Sequence, residues 1–102
     1  MTLRTEKQRT ELCRSCPIAK IADLIGDPCS LLVLRDLLNG PKRFGELHES
    51  LGMSTRTLTK TLKRLTDCDF LIRNEFEYTL TSKGRGIRKT LDAMRAYGKK
   101  YL

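Results

Sequence analysis

The chain has 102 residues, which sets the expectation of one small domain with a modest core. Its 20 Lys and Arg against 12 Asp and Glu give a formal net charge of +8, which points to an anionic partner: nucleic acid first, then a membrane surface or an acidic protein. No apolar run is long enough to span a bilayer and no signal-peptide pattern is present, so no membrane association and a cytoplasmic location are expected. With 6% aromatics and no Trp, a stacking platform for single-stranded nucleic acid is disfavoured. His48 is the single histidine and no glycine-rich phosphate cradle precedes a helix, so neither an enzyme nor a cofactor is indicated.

Residues 1–12 read as a polar arm, and 13–102 as one domain. Pro17 suits the first turn of a helix, where a missing N–H costs nothing, and Ile18, Ile21, Leu24 and Ile25 follow on one face. Gly26 stops that helix. Asp27-Pro28 starts the next, with Asp as N-cap and Pro at the first helical position. Cys29–Leu38 is dense in Leu and Val and should be the most buried helix, ending at Asn39-Gly40-Pro41.

Residues 43–66 read as a turn-recognition unit. Phe44, Leu47 and Leu51 share one face of a short helix, Gly52 breaks it, and Ser54 can cap a second helix. In that second helix Leu58, Leu62 and Leu65 recur at helical spacing, while Arg56, Lys60, Lys63 and Arg64 supply positive charge and no acid intervenes between Gly52 and Thr66. A basic, amphipathic helix after a three-residue break has the form of a recognition helix. Ser54, Thr55, Arg56, Thr57 and Lys60 are the candidates to meet DNA. Arg56 near the helix start suits a guanine edge, and Lys60, Lys63 and Arg64 suit phosphates.

Residues 70–80 read as a short hairpin, or wing. Phe70–Arg73 and Phe76–Leu80 are β-prone, and Asn74 tolerates a left-handed turn conformation. Arg73 on this hairpin is placed to touch backbone. Thr81 or Ser82 then caps a terminal helix over 82–102 carrying Ile87, Leu91, Met94 and Tyr101 at roughly helical intervals. The expected fold is mainly α with a small β-hairpin: a winged helix-turn-helix with extra helices at both ends forming a dimer surface. A small domain gains burial most readily from a second subunit. The expected homodimer contacts are Ile18, Ile21, Ile87, Leu91, Met94 and Tyr101.

Four cysteines without an export signal are not read as a disulfide framework. Cys29 and Cys68 sit in core-like surroundings and read as small buried hydrophobes. Cys13 and Cys16 form a CxxC pair with three readings: a redox switch, half of a metal site, or two ordinary thiols. One pair falls short of the four ligands of a structural zinc site, so no metal is assigned.

In order and spacing, the chain resembles the HxlR-type transcriptional regulators, a winged-helix branch related to the MarR group. The resemblance runs from Cys16-Pro17-Ile18 through Ile25-Gly26 and Leu31–Leu38 to Arg43-Phe44-Gly45-Glu46-Leu47. It continues through Met53-Ser54-Thr55-Arg56-Thr57-Leu58-Thr59 and Leu62-Lys63-Arg64-Leu65, and closes with Tyr78-Thr79-Leu80-Thr81 and Gly84. It implies a homodimer, joined through its terminal helices, that binds operator-like duplex DNA. It also implies that a cysteine near the Cys-Pro start, here Cys16, senses thiol-reactive compounds or oxidants in some members. Two departures stand out. Gly26-Asp27-Pro28-Cys29 replaces the family's Gly-Gly-Lys-Trp, and Arg73 and Tyr78 are only five positions apart, a shorter wing than the family pattern.

Sequence-specific duplex binding by a transcriptional regulator, a repressor or a dual regulator, is therefore the leading expectation. The alternatives are a non-specific nucleoid-associated protein, favoured by the many cations of the last helix, and a winged-helix protein-interaction module.

Overall fold

The computed structural model describes residues 16–102; the arm over 1–12 and Cys13 lie outside the described residues. Two helices come first among the described residues. Helix α1 (Pro17–Ile25) starts on Pro17, and helix α2 (Pro28–Leu37) is capped by Asp27, whose side chain accepts the Ser30 N–H. A two-residue strand β1 (Lys42–Arg43) follows the turn at Gly40. Helix α3 (Phe44–Leu51) begins where Glu46 Oε1 accepts the Arg43 N–H at 2.9 Å, and it ends on Gly52 in the left-handed region at φ 68°. Ser54 then caps α4 (Thr55–Asp67) by accepting the Thr57 N–H. The boundaries at Pro17, Asp27, Gly52 and Ser54 fall where the sequence puts them, whereas the Glu46 cap was not foreseen.

Helix α4 stops in a Schellman arrangement. The Phe70 N–H donates to Leu65 O and the Asp69 N–H to Thr66 O, with Asp69 at φ 64°. Strands β2 (Leu71–Asn74) and β3 (Glu77–Leu80) form the hairpin. A three-stranded antiparallel sheet results, in the order β1-β3-β2, with Leu71 opposite Leu80 and Arg73 opposite Tyr78. The strand at 42–43 was not expected; two residues are too few to show an alternating pattern. The hairpin turn also differs from expectation. Asp69, not Asn74, is the non-glycine residue with positive φ among the described residues, because the left-handed position is needed to end α4 rather than to reverse the hairpin at Glu75-Phe76.

The terminal helix is split into α5 (Ser82–Arg85), capped by Thr81, and α6 (Arg88–Tyr101). At the break the Ile87 N–H bonds to Gly84 O, a tighter i to i−3 turn, where two glycines lie within three residues. Val33, Leu34, Leu47, Leu58 and Leu65 are wholly buried, so α2, α3 and α4 share one core that Phe70, Leu71 and Leu80 close from the sheet side. Ile87 and Leu91 belong to that same core, with 5% and 7% exposure. Their expected placement on a dimer surface is thus corrected: the apolar stripe of α6 begins inside its own protomer. Arg88 reinforces this docking by donating to Leu38 O at 2.9 Å. The architecture is a winged helix-turn-helix with flanking helices. No helix among the described residues is long and apolar enough to cross a membrane.

Candidate nucleic-acid interface

Helix α4 is divided lengthwise. Leu58, Thr61, Leu62 and Leu65 are buried, and the opposite face presents Arg56, Lys60 and Lys63 at i, i+4 and i+7. All three basic residues are exposed. Arg56 and Lys60 form no ion pair with a described residue, and Lys63 has only a loose contact with Asp67 at 4.0 Å. The row's charge is therefore largely uncompensated by the described residues.

The N-terminal end of the helix adds hydroxyls. Ser54 Oγ accepts the Thr57 N–H at 3.1 Å and donates to Thr57 Oγ1 at 3.0 Å, which leaves the Thr57 hydroxyl proton available for an outside acceptor. Thr55 is exposed beside them. Thr59, also exposed, donates back to Thr55 O at 2.7 Å.

Arg73 is brought to this helix by the sheet. With Thr59, Lys63, Thr66 and Tyr78 it lines a groove between α4 and the hairpin, and its guanidinium lies 5.8 Å from the centre of the Tyr78 ring. The wing tip is of mixed charge. Glu75 and Glu77 flank an exposed Phe76, and Arg43 sits 5.9 Å from the Phe76 ring centre. Arg43 was not singled out in the sequence; its approach depends on the unforeseen β1–β3 pairing, which sets Arg43 opposite Glu77.

Arg64 departs from the expected phosphate-contacting set. It lies on the flank of α4 that faces α2, where its Nη2 donates to Asp27 Oδ1 at 2.8 Å and also to Ser30 Oγ. A guanidinium held in this way is committed within the fold. Some of the cations after the hairpin are similarly engaged, whereas Lys89, Lys99 and Lys100 are exposed on α6. Lys83 donates to Cys68 O, Arg85 to Leu80 O and Ser82 Oγ, and Arg95 pairs with Asp92.

Exposed apolar side chains also stand on α1 and α6. Ile18 of α1 is 76% exposed, and Met94, Tyr97 and Tyr101 form an exposed stripe on α6. Tyr97 was missed in the sequence although it stands four residues before Tyr101, and the two rings meet at 4.7 Å. Ile21 is half-buried against the protomer core. Cys16 is the half-buried N-cap of α1; Cys29 and Cys68 are partly exposed rather than fully buried, and Cys68 packs against the core. Among the described residues no group of His, Cys, Asp and Glu could hold a metal ion.

Comparison with known proteins agrees with this geometry. A family model described as HxlR-like helix-turn-helix matches residues 24–102. The chain is 39% identical over 95 residues to the uncharacterized HTH-type transcriptional regulator sll1512 of Synechocystis, covering 85% of this chain and 70% of that protein. Against mycobacterial relatives at 29% identity it spans 58% of their length. Among solved structures it resembles quinone-bound YodB of Bacillus subtilis, with TM-score 0.78, 30% identity and coverage of 84% of this chain and 99% of that one. It also resembles the redox regulator HypR in its reduced form, with TM-score 0.78, 25% identity and coverage of 82% and 91%.

Proposed function

Because the chain belongs to the HxlR-like helix-turn-helix family, a family of transcription regulators and not of enzymes, we propose that it is a sequence-specific, double-stranded DNA-binding regulator acting as a homodimer. The observation that carries this reading is the row Arg56, Lys60 and Lys63, exposed on the face of α4 opposite its buried leucines. In this reading α4 enters the major groove N-terminal end first. Arg56 reads a base edge, with Ser54, Thr55 and Thr57 beside it, while Lys60 and Lys63 meet phosphates and Arg73 touches backbone from the groove beside α4.

The homodimer places two copies of α4 about one helical turn of DNA apart. Ile18, Met94, Tyr97 and Tyr101 are the surface that a second copy covers, and their exposure in the single chain supports that assignment. Cys16 is the thiol through which oxidants or thiol-reactive compounds act; the resemblance to quinone-bound YodB and reduced HypR supports a redox response. Lys89, Lys99 and Lys100 remain exposed on α6, so the non-specific reading is kept as the alternative that the test below decides.

The test compares binding to a duplex enriched from a random-sequence pool with binding to a scrambled duplex at one physiological salt concentration. A preference of a thousandfold or so is expected; equal affinity for both indicates the non-specific reading, and no binding to either at low salt indicates an interaction module. The same comparison with C16S, under reducing and mildly oxidising conditions, tests the thiol. Equal affinity in all four states removes Cys16 from regulation.

A further inference from the structure

We infer that Arg64 is a positioning residue rather than a DNA contact: with Asp27 and Ser30 it fixes the last turn of the recognition helix to the start of α2. This rests on the proposal that α4 is the DNA-reading element. The buried side of α4 is made of Leu58, Thr61, Leu62 and Leu65, and its leucines pack closely in the core. That packing seats α4 on the core along its inner face, and Arg64 adds a directional tie on the flank of its last turn. Hydrogen bonds are directional, and the Asp27 carboxylate collects three. It accepts the Ser30 N–H at 3.0 Å, the Ser30 hydroxyl at 2.8 Å and Arg64 Nη2 at 2.8 Å, while Arg64 also donates to Ser30 Oγ. Ser30 is wholly buried, so its hydroxyl depends on these two partners.

The chain positions joined are 37 residues apart. Asp27 follows Gly26, the residue that ends α1, whose N–H donates to Ala22 O at 2.8 Å. The start of α2 and the last turn of α4 therefore share one polar anchor. Because Arg56 lies two turns away on the same rigid helix, a change in roll at Arg64 re-aims it.

The experiment measures affinity for the enriched duplex, per folded protein, across a salt series for wild type, D27N, R64A, R64K, D27N/R64A and K60A. Asn retains N-cap capacity, so D27N removes the charge and keeps the cap. D27N and R64A are expected each to weaken binding about fivefold, the scale of a charge-assisted bridge half open to water. Their salt slopes should match wild type, the double variant should bind no worse than either single, and R64K should recover part of the loss. K60A instead lowers the slope by about one. A slope reduced by about one in R64A with D27N unaffected would show that Arg64 meets a phosphate. Lower thermal stability in both variants with unchanged affinity would make the bridge purely structural. Either result overturns the inference. Absence of wild-type binding to both duplexes overturns the DNA-reading proposal and this inference with it, whereas wild-type binding unaffected by D27N overturns this inference alone.

Discussion

Gly84 lies directly beneath the carbonyl of Phe70: a Cβ on Gly84 would stand 2.2 Å from that oxygen and 3.1 Å from Leu80 Cδ2. The same carbonyl accepts the Thr81 N–H at 3.0 Å, and the Thr81 hydroxyl donates to Asp69 O. The end of α4, the end of the hairpin and the start of α5 are thus pressed together where only hydrogen fits. G84A should cost about 2 kcal/mol through a forced backbone shift, lowering Tm by roughly 10 °C. G45A, where the added methyl meets nothing within 4 Å, is the control and should leave Tm unchanged or raise it slightly. Calorimetry on both variants checks the pair; equal Tm values would refute the close approach.

Local chemistry was legible in the sequence, and long-range pairing was not. Asp27, Gly52 and Ser54 announce the helix boundaries because a cap bonds within three or four residues of itself. The exposed side of α4 follows from leucine spacing alone. Arg64 could not be separated from Lys60 and Lys63, because its partner lies 37 residues away on another helix. Ile87 and Leu91 show the complementary limit. An apolar stripe states that a face is buried but not whether its own core or a second subunit does the burying.

That distinction can be measured. L91A removes a side chain from the protomer core and should cost about 2–5 kcal/mol of folding stability. Met94, Tyr97 and Tyr101 are exposed, so M94E and Y97E should leave the fold near wild-type stability while shifting sedimentation from dimer to monomer. A wild type that sediments as a monomer at high micromolar concentration, with and without DNA, would contradict the dimer.

On α4 the division of labour predicts different signatures for neighbouring cations. R56A should lose roughly 1–3 kcal/mol on the enriched duplex, with relaxed preference at one base position. K63A should weaken enriched and scrambled duplexes about equally. An enriched-to-scrambled ratio left intact by R56A would move base reading elsewhere, with Thr55 and Thr57 the next residues to replace.

Acid should release the anchor at Asp27. Burial opposes ionisation of its carboxyl, but donation from the Ser30 hydroxyl and N–H and the charge of Arg64 outweigh burial and hold its pKa below the ordinary aspartate value. A carboxyl with a lower pKa folded than unfolded binds its proton less readily in the native state. Its stabilisation is therefore complete above the unfolded pKa, about 3.9, and is lost as pH falls through the folded value. Wild type should exceed D27N in unfolding free energy at pH 7 and pH 5. The gap should close as pH drops below about 4, because only wild type has a proton to gain at this position. Denaturant melts of the two proteins across that range measure it directly. A gap that stays constant down to the acid end would mean that the carboxylate charge, as distinct from the shape of the cap, does not hold Arg64.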